Sequence, residues 1–510
     1  MSEKNESASA GTSREPGPGR GLSKHAVKAS VWVIGGFAAG QLLRFLANLV
    51  LARLLFPGVF GLAALTFIFI QGLQMFTDVG TGPAIVQSAR GDDPVFLDTA
   101  WTISCGRGVL IWLVACIIAK PMATFYGQPL ITQLLPVAAL TAALGGFEAT
   151  ALHTAQRHLR ADRITMVDLA GQSVGIVANV VLALVYRSLV AGDDPRAIWA
   201  IIAGSLLGSV VRLVLSFTIV PGARNRLRME PVARRLLFGF GRWVFISTLL
   251  TFLSGQADRL IFGKLVPLEV LGVYGIAWNL AQLPTAVTYR LGSLVLFPSY
   301  SRVAATGELS NVYGRARLPL LIGAAAVASA FVACGPPMIS ILYDRRYVEA
   351  GWILQLLALS GWFQTLEATN SAALLSNARL SWMASGSAVK LAGMAVLLPL
   401  GMYLGGFPGA VVGLVASDLL KYLVSALGVA GMGLRGFGVD LALTGALAAV
   451  GGIGLAAGGA AAAVVHGAHL PAFAAAAVAT CAIWSGVGIW YLRKLGGGNS
   501  LGWITSVFSR

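Results

Sequence analysis

Residues 52–65 read ARLLFPGVFGLAAL, and residues 263–276 read GKLVPLEVLGVYGI. The two stretches align without gaps at an offset of 211, with Arg53 on Lys264, Leu54 on Leu265, Val59 on Val270 and Gly61 on Gly272. Each is a short turn between two long apolar runs, the first marked by Pro and Gly, so each reads as the connection between two membrane-crossing helices. A chain that returns to the same turn on the same side after six crossings carries a parallel repeat. Its halves are then related by an axis along the membrane normal.

The rest of the chain supports that reading. Of 510 residues, 56% are hydrophobic and only 11% charged, and the mean hydropathy is +0.77. An ordinary soluble domain carries about 25% charged residues. Apolar runs near twenty residues recur from Ser30 to Tyr491, each long enough to cross a hydrocarbon core about 30 Å thick. They predict fourteen helices at roughly 30–54, 60–80, 99–120, 131–153, 164–186, 197–220, 239–264, 270–298, 317–342, 349–375, 382–404, 408–430, 440–465 and 471–492.

The predicted fold is an all-α polytopic membrane protein, with two pseudo-equivalent six-helix bundles around a central cavity and a terminal helix pair. Residues 1–28 read as a disordered cytoplasmic tail, Ser-, Gly- and charge-rich and without the apolar core of a signal peptide. Residues 29–220 form the first bundle, 221–238 a basic cytoplasmic linker and 239–430 the second bundle. The Ala- and Gly-rich residues 440–492 are expected to pack on the second bundle through small side chains, and 493–510 form a cytoplasmic tail.

The net charge of +16 is explained by topology rather than by nucleic acid. Arg157, Arg160 and Arg163, then Arg224, Arg226, Arg228, Arg234 and Arg235, then Arg302, Arg315 and Arg317 all fall on one side when both termini are cytoplasmic. That is the positive-inside bias, with contact to anionic lipid as its natural complement. Cys105, Cys116, Cys334 and Cys481 lie inside predicted helices and show neither zinc spacing nor a disulfide framework. No P-loop is present, and no external connection is long enough for a catalytic domain, so an enzyme is disfavoured and no metal or cofactor is expected. Asp92-Asp93-Pro94 and Asp193-Asp194-Pro195 read as helix caps in turns.

Polar stripes interrupt four helices at three-, four- or eight-residue steps. They are Gln41, Arg44 and Asn48; Gln71, Gln74, Asp78 and Thr81; Ser247, Thr251, Ser254 and Asp258; and Asn279, Gln282 and Arg290. A charge at the bilayer centre costs roughly 2.5–3.5 kcal/mol on insertion scales, so such faces should line a cavity. Further along, Ser360, Gln364, Glu367 and Ser371 share a face, Lys390 follows, and Asp418 and Lys421 are spaced to pair. Arg107, Glu148, Asp168 and Arg212 fall near cytoplasmic helix ends, where snorkelling or interhelical pairing is the default.

LARLLFPGVFGLAAL with the downstream DVGTGPAIVQ, and SGQADRLIFGKLVPLEVLGVYGIAWNLAQLP continuing to LVLFPSYSR, resemble the polysaccharide flippases of the multidrug/oligosaccharidyl-lipid/polysaccharide exporter superfamily. The resemblance is clear over 30–90 and 238–303 and diffuse elsewhere. It implies movement of undecaprenyl-pyrophosphate-linked oligosaccharide from the inner to the outer leaflet of a bacterial inner membrane, by a protein expected to be monomeric and to meet polysaccharide polymerase machinery.

Arginine suits pyrophosphate because its planar fork binds oxygens bidentately and keeps its charge. Arg44 and Arg290 are therefore the expected pyrophosphate ligands, with Gln41, Asn48, Gln71, Gln74 and Gln282 at sugar hydroxyls. Asp78 and Asp258 are expected as charge partners or proton- or sodium-coupling groups, Asp78 facing Arg44 and Asp258 neutralising a cavity arginine. Glu367 and Lys390 are grouped with them, and Arg259 is expected at the external interface. An exporter of drugs or small amphiphiles shares the architecture and is the alternative; its substrates are commonly cationic, against which an arginine-lined cavity argues.

Overall fold

The computed structural model describes residues 18–78, 80–158, 160–190, 192–219, 225–304, 309–465 and 468–496. In the first half run α1 (Pro18–Leu54), α2 (Pro57–Phe76), α3 (Thr81–Gln87), α4 (Pro94–Tyr126), α5 (Ile131–Gly146), α6 (Ala151–Arg157), α7 (Ala161–Leu189) and α8 (Ile198–Thr218). In the second run α9 (Pro231–Leu265), α10 (Leu268–Leu291), α11 (Phe297–Ala304), α12 (Leu309–Leu342), α13 (Ala350–Ser376) and α14 (Leu380–Ala430), then α15 (Phe437–Val464) and α16 (His469–Gly496). Among the described residues there is no strand.

All fourteen predicted segments fall on helix, and the boundaries are corrected at several places. Among the described residues ten helices are long and apolar enough to cross a membrane, or eleven with α5 and α6 taken as one span bent by 56°. The long α13 is outside that count, because polar residues such as Gln364, Glu367 and Asn370 lower its hydropathy. α14 covers two predicted helices and breaks at Gly405 and Gly406, where Gly406 has φ 62° and ψ −151°, a region essentially restricted to glycine.

α1 starts at Pro18, so residues 18–28 of the expected tail are helical, while 1–17 lie outside the described residues. Likewise α9 starts at Pro231, shortening the expected linker; proline at the first helical position supplies the right φ and sacrifices no hydrogen bond. Residues 221–224 and 497–510, parts of the expected linker and tail, lie outside the described residues. As expected of the acidic turns, Asp93 accepts from Val95 N and Asp194 from Arg196 N at their helix starts.

In the first half α1 packs on α7, α7 on α8 and α4 on α5; in the second α13 packs on α10, α12 and α14. The halves meet mainly along α2 and α10. A Cβ added to Gly61 would lie 2.1 Å from Leu268 O, and one added to Gly272 would lie 1.9 Å from Pro57 O. Pro57 and Leu268 are themselves aligned in the repeat, so the contact is the same seen from either side. Around it one apolar core joins Leu55, Val59, Leu62 and Leu65 to Leu271, Tyr274, Ile276 and Leu280.

The terminal pair packs on α12 through small residues: Gly451 against Val332, Gly454 against Ala333, and Gly458 against Ala472 of its own pair. Asp440 at the start of α15 forms a buried ion pair with Arg317 of α12 at 2.5 Å and accepts from Tyr422 OH at 2.8 Å.

Candidate translocation cavity

The stripe on α1 and that on α10 face each other. Gln41, Arg44 and Asn48 oppose Asn279 and Gln282 across a cavity of about 280 Å³. Steps of three and four residues bring each set onto one side of its helix. Gln172 of α7 supports α1 from behind, donating to Gly40 O at 2.7 Å.

A larger cavity of about 800 Å³ lies within the second half, with Asp258, Gln364, Glu367, Lys390 and Lys421 among its lining. Trp278, Gln282 and Ala286 of α10 border both spaces, and Gln282 Nε2 donates to Gln364 Oε1 at 3.3 Å. The two cavities therefore adjoin across one face of α10.

Charges in the larger cavity pair between helices. Lys390 Nζ lies 2.6 Å from Asp418 Oδ1, and Ser360 Oγ donates to Asp418 Oδ2 at 2.5 Å. Lys421 Nζ lies 3.4 Å from Glu367 Oε2, which also accepts from Tyr289 OH at 3.1 Å. The Asp418–Lys421 pair expected from spacing is thus replaced by one pair between the two arms of α14, on either side of its break, and one between α14 and α13. Asp258 accepts from Tyr274 OH rather than neutralising an arginine, and its Oδ1 has no partner among the described residues.

Other expected positions are more scattered. Asp78 pairs with Arg107 at 3.4 Å and accepts from Gly80 N at 2.9 Å, instead of facing Arg44. Arg107 Nη2 also donates to Gln74 O at 2.6 Å. Gln71 is exposed and accepts from Gln256 Nε2 at 3.3 Å. Arg290 is exposed and lines neither cavity. Arg259 does not extend to the external interface; its guanidinium lies over the Trp278 ring, 3.5 Å from the centroid. Arg212 bridges Glu148 and Asp168 at 3.3 Å each, so of snorkelling and interhelical pairing it takes the second. Tyr274, Tyr289 and Trp278 were missed by sequence reasoning. Trp278 sits one residue before Asn279, and no polar periodicity marks it.

At the end of the molecule that carries the repeat turns, the halves are clasped. Arg53 Nη2 donates to Leu342 O at 3.3 Å, and Lys264 Nζ donates to Phe125 O at 2.5 Å. Arg53 and Lys264 are aligned in the repeat, and each reaches the end of a helix in the opposite half, α12 and α4 respectively. Tyr347 OH to Leu55 O and Tyr126 OH to Leu260 O, both 3.2 Å, add to the closure.

At the other end, residues 225–230 strap the second half to the first. The amides of Arg226, Arg228 and Glu230 donate to Asp98 Oδ1 (2.9 Å), Thr102 Oγ1 (3.0 Å) and Thr99 Oγ1 (3.1 Å). Arg90 bridges Asp93 and Glu230 at 2.5 and 2.8 Å, and its bond holds the Asp93 carboxyl below the usual carboxylate range. Among the described residues no group of His, Cys, Asp or Glu is arranged to hold a metal ion.

Apolar helices on the outside, polar cavities within and a clasp across one end define a multi-pass membrane protein with the fold of lipid flippases and multidrug transporters. A solved structure titled "Lipid II flippase MurJ, inward closed conformation" superposes with a TM-score of 0.66 at 11% identity, covering 91% of this chain and 99% of that one. An inward-facing multidrug resistance transporter of the MATE family follows at 0.61 and 13%, covering 77% and 95%. The family model described as "Polysaccharide biosynthesis protein" matches residues 50–350, and the chain belongs to that family. The succinoglycan biosynthesis transport protein ExoT of Rhizobium meliloti is 26% identical, over 62% of each chain. The lipopolysaccharide biosynthesis protein WzxC of Escherichia coli is 22% identical, over 74% of this chain and 75% of its own. The chain thus spans somewhat under two thirds of the length of its succinoglycan relative.

Proposed function

We propose that the protein is a flippase, not an enzyme, and that it carries an undecaprenyl-pyrophosphate-linked oligosaccharide from the inner to the outer leaflet for surface polysaccharide synthesis. Fourteen helices cross the membrane, six in each of two bundles plus the terminal pair, with both chain ends in the cytoplasm. The bundles rock to open the cavity alternately to each face. Glycan head groups cannot cross hydrocarbon unaided, because each unpaired polar group costs several kcal/mol. Membership of a polysaccharide biosynthesis family, and relatives named for transport of such polymers, support the substrate class.

The observation that carries the reading is the amide- and arginine-lined space between α1 and α10, shut at one end by the clasp of Arg53 and Lys264. In this reading the clasped end is periplasmic. Arg44 takes anionic oxygens while Gln41, Asn48 and Gln282 take sugar hydroxyls. The paired charges around Asp258, Glu367 and Lys390 are where a coupling proton or sodium ion would act. The protein works as a monomer beside the polymerase that consumes its product.

A deletion strain tests the proposal. It should accumulate lipid-linked oligosaccharide and lose surface glycan, and the wild-type gene should reverse both. Absence of any accumulated glycolipid, together with gained sensitivity to small amphiphiles, would transfer the assignment to a small-molecule exporter.

A further inference from the structure

The two cavities differ in charge. The lining of the smaller one carries a single cation, Arg44, and no carboxylate. The larger is lined by two cations and two carboxylates, Lys390 and Lys421 with Asp258 and Glu367. Both lysines are taken, by Asp418 at 2.6 Å and by Glu367 at 3.4 Å. An anion entering the larger space would have to break one of these pairs, and stranding a buried charge is costly. A neutral polar molecule meets no such obstacle.

α10 turns one face to that larger space, and Trp278, Gln282 and Tyr289 all line it. Steps of four and seven residues keep the three within about 40° of one another around the helix, with the two rings about 16 Å apart along it. Both rings are held in place. Arg259, which lines neither cavity, stacks on one face of the Trp278 indole, 3.5 Å from its centroid. The opposite face and the edge are therefore what the ring gives to the cavities. The Tyr289 hydroxyl donates to Glu367 Oε2 at 3.1 Å. Rings oriented in advance lose little freedom when a ligand arrives. Between them Gln282 spends one N–H on Gln364 Oε1, which leaves its other N–H and its carbonyl oxygen to a ligand.

A pyranose is the complement of such a wall. Hydroxyls around its rim need donors and acceptors, and the C–H bonds of its face need a flat apolar surface, which an aromatic ring supplies. Trp278 is the one tryptophan in the lining of either cavity. We infer that the larger cavity is the glycan compartment of the transport path, with Trp278 and Tyr289 as the surfaces on which sugar rings lie and Gln282 between them as a hydroxyl ligand. This rests on the flippase reading and divides its labour: the charged end of the travelling molecule stays with Arg44 in the smaller cavity, and neutral sugars occupy the larger.

The test uses the purified full chain in lipid nanodiscs and two probes, undecaprenyl pyrophosphate and the undecaprenyl-pyrophosphate-linked oligosaccharide extracted from the deletion strain. The wild type should bind the sugar-bearing probe more tightly than the bare carrier. Trp278→Leu keeps an apolar side chain but loses the flat ring. It should weaken binding of the sugar-bearing probe by roughly three- to tenfold and leave the bare carrier unchanged. Trp278→Phe should keep most of the margin. Tyr289→Leu should lose part of it, and Tyr289→Phe, which retains the ring, should not. Equal weakening of both probes by Trp278→Leu, or weakening of neither, overturns the compartment and leaves the flippase reading intact, as does wild-type protein that binds the two probes equally. Wild-type protein that binds neither probe, or a deletion strain that accumulates no glycolipid, overturns both.

Discussion

Gly61 of α2 and Gly272 of α10 lie back to back, each leaving no room for a Cβ against the backbone carbonyl of the other helix's first residue. These two positions are aligned in the internal repeat, and so are the carbonyls they meet, Leu268 and Pro57. The pseudo-symmetry axis therefore passes between the two glycines. Backbone-to-backbone approach of this kind is how membrane helices gain packing energy in a solvent that offers no hydrophobic drive.

Alanine at either glycine should force the two helices apart. The added methyl would lie about 2 Å from a carbonyl oxygen, and overpacking of this kind costs roughly 1–3 kcal/mol. The expected result for Gly61→Ala or Gly272→Ala is a lowered melting temperature, together with greater labelling of a cysteine placed at Asn48. Unchanged melting and labelling for both variants would show that this contact does not hold the halves closed.

The clasp gives a second expectation. Cysteines at Lys264 and Phe125, in a background lacking Cys105, Cys116, Cys334 and Cys481, should form an oxidative cross-link that arrests polysaccharide export. A reductant should restore it. Full export with the link verified as complete would argue against rocking of the two halves as the transport motion.

How much of this was legible beforehand depended on the range of the interaction. The repeat, the helices and the caps at Asp93 and Asp194 follow from local patterns, and these held. Charge partners did not follow. Asp418 and Lys421 sit three apart on one helix, yet Lys390 at 2.6 Å and Glu367 at 3.4 Å claim them from other turns and helices. Asp78 is expected to face Arg44, yet Arg107 of α4 takes it. Spacing along one helix tells which face a residue is on; only the neighbour's rotation decides who meets it. The position of Arg290 shows the same limit: it lies two residues from the π-helical turn Gly292–Leu296, and it is exposed outside both cavities.

The buried pair Arg317–Asp440 should matter to stability more than to transport. Both side chains are about 3% exposed, and Arg317 also donates to Tyr313. Removing one partner strands a buried charge and costs about 3–5 kcal/mol, whereas removing both costs far less. Arg317→Met and Asp440→Asn should each lower the melting temperature markedly, and the double variant should recover much of the loss. Additive losses in the double variant would show that the pair is not coupled.

The strap formed by residues 225–230 should depend on acid in a defined direction. Asp93 is held below the ordinary carboxylate range by Arg90, so its contribution to the folded state is present above that range. It is lost as pH falls through the lowered value. Protease cleavage at the 225–230 segment should therefore be unchanged across neutral pH and rise only in strong acid. Arg90→Ala should raise cleavage already at neutral pH, and equal cleavage in both proteins would remove Arg90 from the strap.

Arg44 and Arg290 are equivalent candidates in the sequence, and the structure separates them. Arg44 lines the space between α1 and α10 with Gln41, Asn48 and Gln282 around it, whereas Arg290 is exposed and lines neither cavity. A charge-assisted bond in a partly dry cavity is worth about 1.5–3 kcal/mol, or roughly ten- to a hundredfold in affinity. Arg44→Ala should therefore nearly abolish complementation of a deletion strain, and Arg44→Lys, which keeps the charge but loses the fork, should restore it in part. Arg290→Ala should complement almost fully. Glycan export measured in the three strains decides the matter. Normal export with Arg44→Ala and loss with Arg290→Ala would move the anion path from the α1–α10 space to the far end of α10.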